Sequence, residues 1–285
     1  MIYETIDLDI KDNIAVLTLN RPAVMNALNA QMRAEILHAL RHSIEVARVL
    51  VMTGAGPAFC SGQDLNDRGV VGKIDLERSL RDQYNPMLQA ITDSPIPTIS
   101  AVNGPAAGAG ANLALAADVV IAADDAYFAQ AFTRIGLMPD AGGTHTLPRR
   151  MGMAKAMGAA LFAEKISAQQ AEAWGMIWEV AAPDGFDALW KRRAKHLATG
   201  PSVAYTHTKT ALRHSLHNTY EQQLMLEAKL QGDCGKTRDF KEGVLAFLEK
   251  PRVVSEGREL PTGTRNFRVG GACSVQNQMC AGPFL

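Results

Sequence analysis

The sequence predicts an α/β protein whose later part is helical only. Three observations carry this. Short β-branched runs alternate with helix-length amphipathic stretches as far as about residue 185. Loops rich in glycine and alanine follow two of those runs, over 54–65 and 103–110. From Phe186 onward every apolar pattern has the period of a helix.

At 285 residues the chain has room for one large domain, or one domain with an appendage. Lys plus Arg equals Asp plus Glu at 29 each, so no global field recruits nucleic acid or an anionic membrane. The opening Met1-Ile-Tyr-Glu-Thr-Ile-Asp7 has no basic stretch before an apolar core, and no secretory signal is expected. The longest uncharged candidate for a membrane span, Ala109 to Ala123, is interrupted by Asn112 and Asp118 and falls short of the ~20 residues required. Cys60, Cys234, Cys273 and Cys280 show no metal-type spacing, which points to a reduced cytoplasmic setting with no metal site.

Glu4 to Leu19 reads as a β-hairpin: Ile6, Leu8 and Ile10 alternate, Lys11-Asp-Asn13 turns, and Ile14 to Leu19 returns. Leu28, Met32, Ile36, Leu40 and Ile44 then recur every fourth residue, a helix with Asn29 as its cap. Val46 to Thr53 is strand-like. Asp75 to Asp93 carries Leu76, Leu80, Tyr84 and Leu88 in helical register, with Pro86 expected to kink it. Thr98, Ile99 and Val102 mark a buried strand broken by Asn103-Gly-Pro105, and a helix is expected over Ala111 to Ala117. Val119 to Ala123 and Tyr127 to Ala129 read as strands, Leu147 to Phe162 and Ser167 to Trp174 as helices, and Met176 to Ala181 as a strand. Past the turn Pro183-Asp-Gly185, helices are expected over 186–198, 202–215, 219–231 and 239–249, with Asp239 and Glu242 at capping-box spacing in the last. Leu224, Met225, Leu226 and Leu230 make a broad apolar face suited to covering the first domain or binding another subunit. The tail over 251–285 loses all periodicity.

A strand that turns through small residues into a helix leaves unpaired N–H groups at the helix start, where the dipole adds positive character. The stretch Pro97 to Asp118 has this form, with Gly108 and Gly110 around Ala109. Such a start suits an anion, or an oxygen that becomes one during reaction. Equally, small residues there serve to pack the helix closely on a sheet. A dinucleotide fingerprint ending at Asp124 or Asp125 is a weak alternative, because Leu113 stands where a third glycine is needed. The loop Gly54 to Leu65, taken alone, reads as a permissive turn. Two such loops at strand ends, however, can each bring one N–H to a common oxygen. That is an oxyanion hole of main chain, the usual device when a thioester carbonyl becomes an enolate. In a third loop, Gly136 to His145, Asp140 lies among apolar and small residues, where desolvation raises a carboxyl toward a useful proton-transfer pKa. Alternatively Asp140 caps the helix that follows. His145 reads as a packed or surface side chain.

Together these loops resemble the enoyl-CoA hydratase/isomerase (crotonase) superfamily. The likeness covers about residues 1–250. It rests on Ala58-Phe-Cys-Ser-Gly-Gln-Asp-Leu65, on Ala101-Val-Asn-Gly104 with Gly108-Ala-Gly110, and on Pro139-Asp-Ala-Gly-Gly-Thr144. What the resemblance implies is a spiral of ββα repeats over 1–185 holding the active site, and a helical trimerisation region over 186–250. The tail 251–285 is unlike the family. The implied substrate is an acyl-CoA thioester, with CoA part of the substrate and no separate cofactor, and the implied assembly is a homotrimer or a dimer of trimers. Position by position, the oxyanion donors fall on the amides of Gln63 and Ala109, and CoA contacts on Val24, Asp64 and Leu65. Phe247 and Lys250 would reach CoA from a neighbouring subunit. The two glutamates with which family hydratases add water are replaced by Asn112 and Phe132, and Asp140 fills the family's alternative acid position.

Within the family, the runs Gly62 to Arg68, Tyr84-Asn-Pro86, Gly104 to Leu115, Gly136 to Asp140 and Trp174 to Trp178 are similar to one branch. Its members isomerise epoxyphenylacetyl-CoA to an oxepin and often shift enoyl-CoA double bonds. The implied activity is therefore acyl-CoA isomerisation, with Asp140 as acid and base. Other outcomes on the same fold stay open: aryl-CoA dehalogenation with Asp140 as nucleophile, naphthoate-synthase-like chemistry, residual hydration, or a non-catalytic RNA-binding or scaffold role.

Overall fold

A computed structural model describes residues 2–66, 75–182 and 184–249. Lys250, Pro183 and the tail 251–285 therefore lie outside the described residues. Residues up to Lys241 form one compact unit, and a second begins at Glu242.

Strands β1 (Ile6–Lys11) and β2 (Ile14–Leu19) pair antiparallel, with Ile6 opposite Leu19. Asp12 and Asn13 turn between them at φ 52° and 63°, the left-handed pair that suits the strands' own twist. Helix α1 (Ala30–Val46) starts where the Asn29 side chain accepts the Met32 N–H, and its buried face carries Met32, Ile36 and Leu40. Val46, expected in the next strand, ends this helix instead, and β3 is Val49–Gly54.

β3 runs parallel to β2 and to β4 (Thr98–Val102), followed by β6 (Val119–Ala122) and β9 (Glu179–Val180). The sheet order is β1-β2-β3-β4-β6-β9. Parallel neighbours need crossover connections, and these bury both sheet faces. Leu50 and Met52 point into the larger core with Met32, Ile36 and Leu40 of α1. Val49, Val51, Ile99 and Ala101 point the other way, against Leu189, Trp190, Ala194 and Ala198 of α7 (Phe186–Thr199).

A second sheet joins β5 (Ala106–Ala107), β7 (Tyr127–Ala129) and β8 (Lys165–Ser167) in the order β5-β7-β8. Neither β5 nor β8 has the length or β-branched content that marks a strand in sequence; pairing with β7 makes them strands. The expected strand Met176 to Ala181 is confined to Glu179–Val180.

The stretch expected as one kinked helix is α2 (Leu76–Ser79), a π-helical turn over Leu80–Tyr84, and α3 (Asn85–Thr92). Pro86 stands inside a continuous helical run, at the start of α3, where its missing N–H removes one backbone bond. The widened turn just before it absorbs the misfit, with the Asn85 N–H reaching back to the Leu80 carbonyl. Helix α4 (Ala109–Leu115) begins earlier than expected and is buried throughout. Helix α5 (Gly143–Phe162) likewise begins ahead of Leu147, and Gly152 at φ 77° breaks its regular turn.

Helix α6 (Ala168–Ala173) has a capping box of Ser167 and Gln170. After α7 come α8 (Ser202–His214), α9 (Tyr220–Cys234) and α10 (Arg238–Leu248). The capping box expected at Asp239 and Glu242 is a correction. The helix starts sooner, and the Thr237 hydroxyl accepts the Phe240 N–H at 3.1 Å. Asp118 ties α8 to the sheet, pairing with Lys209 and Arg213 at 2.6 Å each while accepting the Thr98 N–H at 2.8 Å. No helix among the described residues is long and apolar enough to cross a membrane.

Candidate active site

The loop after β3 is shaped by buried polar groups. Asn26, wholly buried at φ 55°, donates to the carbonyls of Ala55 at 2.9 Å and Ala58 at 2.8 Å. Asn103, just past β4, accepts the Gly54 N–H and donates to the Gly56 carbonyl, both at 3.0 Å. The main chains then pair: Phe59 and Cys60 N–H both reach the Pro105 carbonyl, and Ala107 N–H reaches the Cys60 carbonyl at 2.9 Å. The two small-residue loops therefore lie side by side.

Glycine permits that approach at two points. A Cβ on Gly110 would lie 2.3 Å from the Cys60 carbonyl oxygen, far inside contact distance. At Gly62, φ is 97°, and a Cβ would lie 2.8 Å from the Ala107 oxygen and 3.4 Å from the Ala109 nitrogen. Only glycine, with no Cβ, fits next to Gln63 this close to the start of α4.

The direction of the Gln63 amide follows from its neighbours. Leu28 and Gln63 form a parallel bridge in which Leu28 N–H donates to Gly62 O at 2.7 Å and Asp64 N–H donates to Leu28 O at 3.1 Å. In such a bridge the central residue's own N–H points away from its partner. Ala109 opens α4, so its N–H has no intrahelical acceptor. Among the described residues neither amide donates to a hydrogen bond. Both residues line one cavity of about 310 Å³, together with Asp140.

Asp140 does not cap the helix after it: the N-cap of α5 is Gly142, with no side-chain bond. Its Oδ1 is buried with no hydrogen-bond partner. Desolvation pushes the carboxyl up from an ordinary 3.8 to about 6, against a smaller opposing pull from its own main-chain N–H. His145 is exposed on α5, as its sequence setting indicated. The apolar residues Leu76, Leu80, Phe132, Ile135 and Leu137 line the same cavity.

Asp64 and Leu65 also line the cavity, and Asp64 is held by Arg21 at 2.8 Å. Val24 lies beside the loop, its carbonyl accepting the Ser61 hydroxyl at 3.2 Å, and is not a lining residue. Phe247 is an exposed residue of the second unit, and Lys250 is outside the described residues. Among the described residues no cluster of three or more His, Cys, Asp or Glu offers a metal site.

Arg33 and Tyr84 are site residues the sequence reading missed. Arg33 is buried on α1 and donates to Leu28 O at 2.8 Å, Gln63 Oε1 at 3.0 Å and Gln83 Oε1 at 2.6 Å. It also stacks 4.7 Å from the Tyr84 ring centre, and the Tyr84 hydroxyl donates to Gln63 Oε1 at 2.5 Å. Burial holds the Tyr84 phenol above its ordinary range. The available signal was Arg33 at helical spacing from Ile36 and Leu40, a cation on the apolar stripe of α1.

Comparison with known proteins identifies the family. The enoyl-CoA hydratase/isomerase family matches residues 9–258. A Rhodobacter capsulatus protein named as a probable enoyl-CoA hydratase is 58% identical over 258 residues, covering 90% of this chain and 100% of its own. The 1,2-epoxyphenylacetyl-CoA isomerase of Escherichia coli is 45% identical, covering 85% and 94%. A crystal structure of an enoyl-CoA hydratase from Polaromonas sp. JS666 superposes with a TM-score of 0.80 at 31% identity, covering 85% and 96%. The chain is therefore a member of the enoyl-CoA hydratase/isomerase (crotonase) family, an acyl-CoA-binding enzyme with that family's fold.

Proposed function

We propose that this enzyme is a cofactor-independent acyl-CoA isomerase. Its reactions are the ring expansion of 2-(1,2-epoxy-1,2-dihydrophenyl)acetyl-CoA to an oxepin, the shift of a 3-enoyl to a 2-enoyl double bond, or both. The observation that carries the reading is the lone, desolvated carboxyl of Asp140 in a cavity shared with two unengaged amides. Asp64, the other carboxylate lining the cavity among the described residues, is paired with Arg21.

For a 3-enoyl substrate, Asp140 takes a proton from the alpha carbon. The electron pair left behind moves into the thioester carbonyl, giving a dienolate whose oxygen is held by the amides of Gln63 and Ala109. Asp140 then returns the proton at the gamma carbon, and the double bond settles between the alpha and beta carbons. Loss of one such donor typically costs a factor of about 10²–10³ in rate. On this reading Asp64 and Leu65 serve the CoA side of the pocket, with Val24 beside the loop, and the assembly is a homotrimer or dimer of trimers. Cytoplasmic residence belongs to the same reading, with Cys60 and Cys234 as free thiols.

The name of the Rhodobacter relative favours a second reading, water addition to a 2-enoyl-CoA. Against it stand Asn112 and Phe132 at the two positions where the family's hydratases carry glutamates. Neither amide nor ring transfers a proton in the needed way. The decisive experiment assays 3-hexenoyl-CoA, the phenylacetyl epoxide and crotonyl-CoA with wild type and Asp140→Asn. The expectation is isomerase turnover lost in the variant while CoA-ester binding persists. Undiminished isomerisation by Asp140→Asn, or hydration as the dominant wild-type activity, rejects the proposal.

A further inference from the structure

The residue at the first hydratase-acid position has a contact unrelated to proton transfer. Asn112 is buried on α4, one turn after Ala109. Its Nδ2 donates to the main-chain carbonyl of Asp140 at 2.8 Å, and its Oδ1 accepts from Nε2 of the wholly buried Gln130 at 3.0 Å. The Gln130 bond sets which way the Asn112 amide faces. The same Asp140 carbonyl accepts the Gly143 N–H at 2.8 Å. A Cβ at Gly143 would come within 2.4 Å of the Asn112 amide nitrogen, so the start of α5 closes directly onto this side chain.

We propose that Asn112 is a positioning residue: its amide ties the Asp140 main chain to α4, so that one helix sets both the Ala109 amide and the carboxyl lining the same cavity. The position used for acid–base chemistry in hydratases serves here as a tether. An aspartate or glutamate at 112 has no hydrogen to give the Asp140 carbonyl when ionised, and glutamate is also a methylene longer against Gly143. The role deepens the isomerase reading and rests on it for its catalytic consequence, though the tether itself is a matter of geometry.

The test follows the Asp140 carboxyl directly, by carbon NMR of labelled aspartate, in wild type, Asn112→Ala and Gln130→Met. Asn112 and Gln130 are uncharged. The ionisable groups around Asp140 are therefore the same in every variant: Arg33, Asp64, Tyr84 and Arg134 about the cavity, His145 and Arg149 on α5. Any shift then reports a change in the setting of the carboxyl, not a charge added or removed. With the tether cut, the loop loosens, water reaches Oδ1, and the midpoint falls by about one unit or more toward the ordinary aspartate range. In parallel, kcat on 3-hexenoyl-CoA falls on the order of 10²-fold, the scale of a small misplacement of the reacting group, while KM changes little. Gln130→Met moves both in the same direction by less, and decides the matter should Asn112→Ala fail to fold. An Asp140 midpoint unchanged in the folded variants overturns the tether. An inactive wild type overturns the isomerase reading instead, while the titration still judges the tether.

Discussion

Asp140 links function and stability through one titration. Its carboxyl is raised from 3.8 to about 6 because burial disfavours the charge. The base proposed above acts ionised, so kcat/KM for 3-enoyl-CoA should climb as pH rises through about 6 and level off above. A pH–rate profile checks this, and a flat profile between pH 5 and 8 counts against Asp140 as the base. The stability effect has the opposite sign. A folded-state pKa above the unfolded one favours the fold fully below about pH 3.8, and that favour is lost as pH rises through about 6. Asp140→Asn, neutral throughout, should therefore match wild type at low pH. Above pH 6 it should be more stable by roughly 1–2 kcal/mol, the full shift discounted for the solvent that still reaches the carboxyl. Thermal melts of both proteins at pH 4 and pH 8 would show it. At this scale the small apolar neighbours of Asp140 pointed to a desolvated carboxyl, and the structure raises its pKa as expected. The sequence did not exclude a helix cap, since a carboxylate just before a helix has the same local signature in either role.

At the scale of elements, the start of α4 matters most. Its closeness to the loop after β3 depends on Gly110, where any Cβ meets the Cys60 carbonyl, main chain that cannot swing aside as a side chain can. Gly110→Ala should destabilise by about 3 kcal/mol, the upper end of ordinary overpacking, and should abolish turnover even where the protein still folds. Urea melts and a thioester assay read the two effects separately. A variant with wild-type stability and activity would mean that the loops are not in this contact. The hairpin and the Asn29 cap were legible because alternation and a capping side chain act within a few residues. The π-helical turn before Pro86 was not, since a proline announces only a missing N–H and leaves open how the chain adapts. β5 and β8 were invisible for a related reason, being too short to be strands without a partner.

Over the whole molecule, the later helices leave much apolar surface in water. α8 and α9 bury no residue, while Tyr220 is 76% and Met225 72% exposed. Met157, Leu161 and Phe162 of α5 are exposed as well. Exposed apolar side chains in this number suit the interfaces of the trimer proposed above. Light scattering after size-exclusion chromatography should give three or six times the chain mass of 30.7 kDa. A stable monomer at micromolar concentration would reject that assembly.

By itself the sequence determined the α/β class, the order of most elements and the three loops that matter. Each of these depends on residues close together in the chain: alternation, capping groups, and small residues after a strand. Only the tertiary structure decided what those loops do to one another. That Asn103 and Pro105 bind the loop after β3, that Arg33 reaches Gln63 from α1, and that Asn112 holds Asp140 from α4 are contacts between distant segments. Hydrogen-bond partners so far apart leave no periodic trace in the chain, because their meeting is set by how the sheets and helices pack.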